Sequence, residues 1–275
     1  MDTQKIWLVT GASKGLGLSL VKKLLSNGYK VAATSRNLKD LNAESTDFLP
    51  LQVDLLNEQS VSAAVADTIS KFGKIDVLVN NAGYGQIGTL EELSDAEARA
   101  NFDVNVFGSL NTIRAVMPHL REQKSGAIFN ISSVGGFTGN FPGWGIYCAT
   151  KFAMAGFTES LSAEVKEFGI SATVVYPGYF RTSFLKEGSL TLPKNPIAEY
   201  TGARELEAAH VNQIDNNQAG DPDKAADVLI QIAEQNERPL HLFLGQDSND
   251  MAEAKIAAVE KDLAANEVLA TSTGF

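Results

Sequence analysis

The sequence predicts an α/β fold: one doubly wound parallel sheet of seven strands with helices on both faces. Three observations carry that expectation. Short, uniformly apolar runs such as Ile6-Trp7-Leu8-Val9 have the length and composition of strands buried on both faces. Between them lie longer stretches whose apolar residues recur every three or four positions, the period of an amphipathic helix. Strands that alternate with helices join through crossovers into a parallel sheet covered on both sides. The third observation is a glycine-rich turn, Thr10-Gly11-Ala12-Ser13-Lys14-Gly15-Leu16-Gly17, set between the first run and the first helical stretch.

Taken in order, the first strand is Ile6 to Val9, and a helix reads from Leu16 with Leu20, Val21, Leu24 and Leu25 on one face and Gly28 as its stop. Strand, glycine turn and helix together present free backbone N–H groups and a positive helix end, the arrangement that cradles a phosphate. Lys30 to Thr34 gives a second strand and Phe48 to Val53 a third, closed by Asp54. Val61, Val65, Ile69 and Phe72 mark the next helix before Gly73. Ile75 to Val79 makes a fourth strand that opens into Asn80-Asn81-Ala82-Gly83. Ser94 and Glu97 form a capping box for a long helix containing Asn105, with Phe102, Val106, Leu110, Ile113 and Met117 turned inward. Ala127 to Ile131 is a fifth strand ending at Ser132-Ser133, and Thr173 to Tyr176 a sixth ending at Pro177-Gly178. From Ser183 to Gly220 the periodicity fails, apart from a short helix over Ala203 to His210, and a loop of this length in a compact domain reads as a lid. Asp221-Pro222 starts a helix as cap and first-turn proline, Leu240 to Leu244 is the seventh strand, and a C-terminal helix is expected over 249–268, amphipathic from Met251 to Leu263.

Composition narrows the function. The 275 residues, 44% hydrophobic and 20% charged, suit one globular domain spanning 1–275. A net charge of −10 disfavours nucleic acid and anionic membranes, which reward a basic face. The one cysteine, Cys148, can form no intrachain disulfide, and His119, His210 and His241 lack metal-ligand spacing, so no metal site is expected. No charged leader, cleavage site or membrane-length apolar run is visible, and a cytoplasmic location is the expectation.

The chemistry concentrates in Tyr147-Cys148-Ala149-Thr150-Lys151, which reads as the opening of a helix running to about Phe168. Residues four apart on a helix share a face with Cβ atoms roughly 5–6 Å apart, so a phenol and an ammonium meet. A cation beside the phenol is expected to lower its pKa and make it a usable proton donor. Cys148 points about 100° away around the helix and reads as a small packed apolar group. Tyr-x-x-x-Lys alone fixes two positions and is also what a surface pair looks like.

Context supplies the rest. Thr10-Gly11-x-x-x-Gly15-x-Gly17, Asp54, Asn80-Asn81-Ala82-Gly83, Asn105, Ser132-Ser133, Tyr147-x-x-x-Lys151 and Pro177-Gly178 with Thr182 stand in one order at successive strand ends. Together they resemble the short-chain dehydrogenase/reductase superfamily over nearly the whole chain, which implies a Rossmann-type fold. The stretch from Ser133-Val134-Gly135-Gly136 to Lys151-Phe152 looks most like the hydroxysteroid and retinol dehydrogenase branch. The gap from Ser133 to Tyr147 is one residue longer than that family usually has; Ser133 is preferred over Ser132 as the catalytic serine, since Ser132 would lengthen the gap further.

The resemblance implies a mechanism. A hydride passes between a nicotinamide and a carbonyl carbon while Tyr147 acts as general acid, or as base in the oxidative direction. Lys151 would depress the Tyr147 pKa and hold the nicotinamide ribose, Ser133 would donate to the carbonyl oxygen, and Asn105 would anchor a proton-relaying water. Cofactor contacts would come from Gly11, Ser13, Lys14, Gly15, Leu16 and Gly17 at the phosphate turn and Asp54 at the adenine. Asn81, Ala82 and Gly83 would follow, then Tyr147 and Lys151, with Pro177, Gly178 and Thr182 closing the nicotinamide end. No acid occurs from Lys30 to Lys39, where an NAD site places one, and Lys14 with Arg36 can face a 2′-phosphate, so NADP(H) is expected. For the substrate, Ser133, Phe141, Trp144, Tyr147, Tyr179 and Phe184, with Phe137 and Leu185, describe an apolar pocket for a ketone, aldehyde or secondary alcohol.

Three other functions compete. A non-catalytic dinucleotide sensor tends to lose the tyrosine or lysine, and both are present. A sugar-nucleotide epimerase or dehydratase needs a larger C-terminal region. A 3-oxoacyl-thioester reductase shares the catalytic residues. Family members also pair helices corresponding to Asp95–His119 and Cys148–Phe168, so a homo-oligomer is expected.

Overall fold

The computed structural model describes residues 4–43, 45–186, 188–210, 214 and 217–275. Positions 187, 211–213, 215 and 216 of the expected lid lie outside the described residues. The elements follow as β1 (Ile6–Val9), α1 (Gly15–Ser26), β2 (Lys30–Ser35), β3 (Phe48–Gln52), α2 (Glu58–Phe72), β4 (Val77–Asn80), β5 (Gly85–Gln86) and α3 (Asp95–Phe102). Then come α4 (Gly108–Gln123), β6 (Gly126–Ile131), α5 (Gly145–Val165), β7 (Ile170–Pro177), β8 (Leu190–Thr191), α6 (Thr201–Ala209), α7 (Pro222–Glu234), β9 (His241–Leu244) and α8 (Gln246–Ala270).

Seven strands make one sheet in the order β3-β2-β1-β4-β6-β7-β9, every neighbouring pair parallel. This is the fold class that the alternating pattern predicts. The period of two along each strand divides the core. Trp7, Val9, Val31, Val79, Phe129 and Val175 face α1 and α7, where they meet Leu20, Leu24, Ala226 and Leu229. Leu8, Ala32, Leu78 and Ile128 face the other way, onto Val61 and Val65 of α2, Ile113 and Val116 of α4, and Leu161 of α5. Buried on both faces, the central strands carry no polar side, which is why they read as continuous apolar runs. All the strand ends that bear polar motifs therefore open at one edge of the sheet.

Helix ends follow the expected chemistry. Gly73 caps α2 at φ 90°, and Asn57 accepts from Gln59 and Ser60 at its start. The Ser94–Glu97 capping box is present, and Asp221 accepts from Asp223 and Lys224 with proline in the first turn of α7.

Two expectations are corrected. The long helix after Ser94 is not one α-helix, because a π-helical turn over Asp103–Phe107 separates α3 from α4 and carries Asn105. The C-terminal helix is longer than 249–268 and is not amphipathic in place: only Ser248 and Ala252 are buried, and residues 253–270 are exposed on every side. Among the described residues no helix is long and apolar enough to cross a membrane.

Candidate active site

The phosphate turn is built by close backbone approach. Gly11 and Gly15 take φ values of 63° and 59°, and a β-carbon on Gly11 would lie 2.6 Å from Ala82 Cα. On Gly17 it would lie 2.4 Å from Asn81 Nδ2, so neither position admits a side chain. Asn81 stitches the turn to the end of β4: its amide donates to the Thr10 and Gly11 carbonyls at 3.0 and 2.9 Å, while Thr10 Oγ1 accepts from Asn81 N and Ala82 N. The N-terminus of α1 has no side-chain cap and no acid in its first turn. Its free amides thus face the cleft unopposed, which fits a dinucleotide pyrophosphate.

Lys14 is part-buried beside Arg36. Burial first, then the Arg36 charge, hold its pKa below the ordinary 10.5, with Asp40 opposing. Two cations that repel one another in this way form a receptor for an anion. Lys14 Nζ also donates to Gly188 O at 2.9 Å, so one arm of the lid rests on the phosphate end. Asp54 lines the same cleft, with Oδ1 accepting from Leu56 N.

At the other end α5 enters through Trp144 and places Tyr147 and Lys151 in the cleft wall, both buried. The two serines divide. Ser132 donates to the Lys151 carbonyl at 2.8 Å and fills the space a Gly136 side chain would need, so it braces α5. Ser133, in extended backbone, accepts from Gly135 N at 3.1 Å, and its hydroxyl acts to lower the pKa of the Tyr147 phenol. Of the two serines, only Ser133 acts on Tyr147 in this way.

Lys151 Nζ donates to Ile131 O at 2.8 Å and lies 5.8 Å from the centre of the Tyr147 ring. A β-carbon on Gly83 would come within 2.9 Å of Asn105 Oδ1 and 3.5 Å of Lys151 Nζ, so this glycine leaves room for both side chains. The Asn105 amide donates to Tyr84 O at 3.1 Å and Thr150 Oγ1 at 3.0 Å, and its carbonyl accepts from Tyr84 N at 3.0 Å.

The expectation that Lys151 depresses the Tyr147 pKa is corrected. Burial pushes the phenol well above its ordinary 10.0, the Ser133 hydroxyl only partly opposing, and the same burial lowers Lys151 to about 7. With about 6 Å between ammonium and ring, desolvation outweighs the Coulomb attraction. Burial thus keeps the Tyr147 phenol protonated and Lys151 close to its titration point at neutral pH.

Beyond Tyr147 the cleft is apolar. Trp144 meets Tyr147 edge-on at 5.4 Å, Phe184 lies 5.9 Å from Tyr147, and Leu185 and Phe141 continue the wall. Tyr179 lines it too, and its backbone N donates to Asp247, whose carboxylate occupies the space a Gly178 side chain would need. Thr182 accepts from Phe184 N and stands 3.6 Å from where a Gly15 side chain would start, tying the lid's base to the phosphate turn. The cavity holds about 580 Å³ and runs from Lys14 and Arg36 past Ser13, Leu16 and Pro177 to Trp144. Phe137 is the exception among the expected aromatics. It packs behind the cleft on Tyr176 and Phe243, at 5.7 and 5.1 Å.

Sequence reasoning missed His210. Its Nδ1 donates to Leu206 O at 2.8 Å, which leaves Nε2 to accept from the Tyr179 hydroxyl at 3.0 Å, and the ring packs 4.9 Å from Trp144. No motif announces it, because its place depends on how the lid returns to the sheet. Cys148, expected as a small packed apolar group, is buried, and burial raises its thiol to about 11. Among the described residues no cluster of His, Cys, Asp and Glu could hold a metal.

Comparison with known proteins agrees with this geometry. The family model for short chain dehydrogenases matches residues 5–192. Oxidoreductase BOA17 of Botryotinia fuckeliana is 35% identical over 90% of this chain and 91% of its own. A 3-ketodihydrosphingosine reductase of Bacteroides thetaiotaomicron is 40% identical over 73% and 71%. A short-chain dehydrogenase structure from Streptomyces avermitilis superposes with a TM-score of 0.91 at 33% identity, covering 100% of both chains. ElxO with NADP bound gives 0.72 at 26% identity over 88% and 97% of the two chains. A 3-ketoacyl-(acyl-carrier-protein) reductase of Brucella melitensis complexed with NADH gives 0.73 at 25% over 87% and 96%. With the glycine turn, Ser133, Tyr147 and Lys151 gathered along one cleft, the chain belongs to the short-chain dehydrogenase/reductase family of NAD(P)-dependent oxidoreductases.

Proposed function

We propose that the protein is an NADP(H)-dependent carbonyl reductase or alcohol dehydrogenase acting on apolar ketones, aldehydes or secondary alcohols. The observation that carries this reading is one continuous cleft with Lys14 and Arg36 at one end and Tyr147 beside Ser133 at an aromatic other end. The nicotinamide cofactor would supply the hydride. The α1 amides would hold its pyrophosphate, Lys14 and Arg36 its 2′-phosphate, and Lys151 its ribose. Ser133 would donate to the carbonyl oxygen and Tyr147 would give it a proton. Lys151, near its titration point, would take up a proton relayed by a water that Asn105 anchors, the role carried over from the family resemblance.

The test is a panel of ketones, aldehydes and secondary alcohols followed by nicotinamide absorbance with each cofactor. Reduction of apolar ketones with NADPH preferred over NADH is expected. A preference for small anionic carbonyl compounds would overturn the substrate reading. The panel includes a steroid ketone, since the Ser133 to Phe152 stretch resembles the hydroxysteroid and retinol dehydrogenase branch. It also includes a 3-oxoacyl thioester, a second reading favoured by the likeness to the Brucella reductase. The reading extends to a homo-oligomer through α4 and α5, whose neighbourhood exposes Phe107 and Phe152, and light scattering that shows a monomer would reject it.

A further inference from the structure

Two reciprocal hydroxyl–glutamate pairs stand in series ahead of α3, the second of them its capping box, and each does more than close a turn. In the first, Thr89 N donates to Glu92 Oε2 at 2.6 Å and Glu92 N donates to Thr89 Oγ1 at 3.3 Å. In the second, Ser94 N donates to Glu97 Oε2 at 3.0 Å and Glu97 N to Ser94 Oγ at 3.3 Å. A capping box needs only one carboxylate oxygen. Both glutamates turn the other oxygen outward to the lid: Ile197 N donates to Glu92 Oε1 at 2.7 Å, and Lys194 N donates to Glu97 Oε1 at 3.2 Å.

Each held amide follows a proline, Pro193 and Pro196, which fixes φ and contributes no N–H of its own. The segment is thus a strap stiffened by two prolines and pinned at two points three residues apart. Arg204, from the first turn of α6, adds an ion pair to Glu92 Oε2 at 2.9 Å, on a carboxylate side chain with no exposure at all. Burial would raise the Glu92 pKa, but the Thr89 and Ile197 amides and the Arg204 charge outweigh it and hold the carboxyl below its ordinary range.

The strap bears on the substrate end through packing. Ala203 stands 3.2 Å from where a Gly143 side chain would begin, and Gly143 O accepts from Gly88 N at 2.8 Å. Gly143 leads into Trp144, which leans on Tyr147. At the base of the strap, β8 pairs with β5, beside Asn81–Gly83 of the nucleotide end. The first half of the expected lid is thereby tied down at both ends.

We infer that Glu92 is a positioning residue for substrate specificity: with Glu97 it locks the 193–204 strap so that the aromatic wall around Trp144 is a fixed surface, shaped for a bulky apolar substrate. The specificity half of this inference rests on the proposed carbonyl-reductase reading. The lock itself does not.

The test uses the full-length Glu92→Gln protein, in which one acceptor oxygen becomes a donor. Hydrogen exchange over 190–204 should accelerate at least tenfold while the α1 and β1 amides stay protected. KM for a bulky apolar ketone should rise about tenfold with kcat little changed, while KM for a short-chain ketone and the NADPH dissociation constant stay within about twofold. Glu97→Gln gives the same pattern more weakly, and serves if Glu92→Gln does not fold. Wild-type exchange rates in the variants would refute the lock. Faster exchange with equal losses on both ketones would refute its part in specificity. Faster exchange in a protein whose wild type reduces no carbonyl compound would keep the lock and sink the proposed function instead.

Discussion

The hydroxyl of Ser132 donates to the carbonyl of Lys151 across 2.8 Å, joining the end of β6 to the second turn of α5. The adjacent Ser133 turns its hydroxyl to Tyr147 instead. Neighbours on an extended chain point opposite ways, so one serine braces α5 while the next faces the cleft, where the proposed function has it serve the reaction. Ser133→Ala should lower kcat by about a hundredfold with little change in melting temperature. Ser132→Ala should cost about 1 kcal/mol of stability, by removing a buried hydrogen bond between β6 and α5, and have the smaller effect on kcat. Steady-state kinetics and thermal melts on both variants check this, and the reverse ranking would exchange their roles.

Lys151 makes stability depend on pH. Its ordinary pKa of 10.5 falls to about 7 in the fold because burial penalises the ammonium. Between those values the unfolded chain binds the extra proton and the folded chain does not, so stability rises with pH, by up to about 1.4 kcal/mol per unit. Cys148, raised from 9.0 to about 11, opposes this above pH 9, and Tyr147, raised above 10.0, does so above pH 10. From pH 7 to 9 the melting temperature of wild type should therefore gain on that of Lys151→Met. Parallel curves over that window would show that Lys151 keeps its proton when buried.

Much of this site is legible in the sequence because periodicity places strand ends. A run such as Ile6 to Val9 must be a strand, so Gly11, Ser133, Tyr147 and Pro177 must gather at one edge of the sheet. What stays illegible depends on enclosure or on the route of the chain. The pKa values of Tyr147 and Lys151 are set by desolvation, which no spacing reveals. Phe137 reads like Phe141 and Trp144 but turns behind the cleft onto Tyr176. The π-turn that aims Asn105 has no signature among Asp103-Val104-Asn105-Val106-Phe107. Ser94 and Glu97 announce a cap, yet nothing in a capping box tells that its second oxygen holds Lys194.

The proposed preference for NADP(H) rests on Arg36. It is exposed at the end of β2, and its charge acts on Lys14 across the mouth of the phosphate turn. Arg36→Asp should replace an attraction for a 2′-phosphate with a repulsion and shift the ratio of kcat/KM for NADPH over NADH by about a hundredfold toward NADH. Lys14→Ala should weaken NADPH binding and also release Gly188 O, loosening that arm of the lid. An unchanged cofactor ratio in Arg36→Asp would place the discriminating group elsewhere.

The aromatic wall sets the last expectation, that catalytic efficiency follows the apolar size of the substrate. Trp144 stands between Tyr147 and His210, at 5.4 and 4.9 Å, and under the proposed function a substrate whose carbonyl reaches Tyr147 would lay its larger substituent along this indole. Each methylene taken out of water contributes about 0.8 kcal/mol, roughly fourfold in kcat/KM, until the wall is covered. Across a series of straight-chain methyl ketones, log kcat/KM should climb with chain length and then level off once the cleft is filled. Trp144→Ala removes the surface those methylenes cover and leaves a hollow beside Tyr147. Its slope should be markedly flatter, with the shortest ketone least affected because it never reaches the indole. His210→Phe keeps the wall apolar but frees the Tyr179 hydroxyl, and should preserve the slope while raising KM across the series. A Trp144→Ala slope as steep as that of wild type would mean that substrates leave the cleft on the side of Phe184 and Leu185.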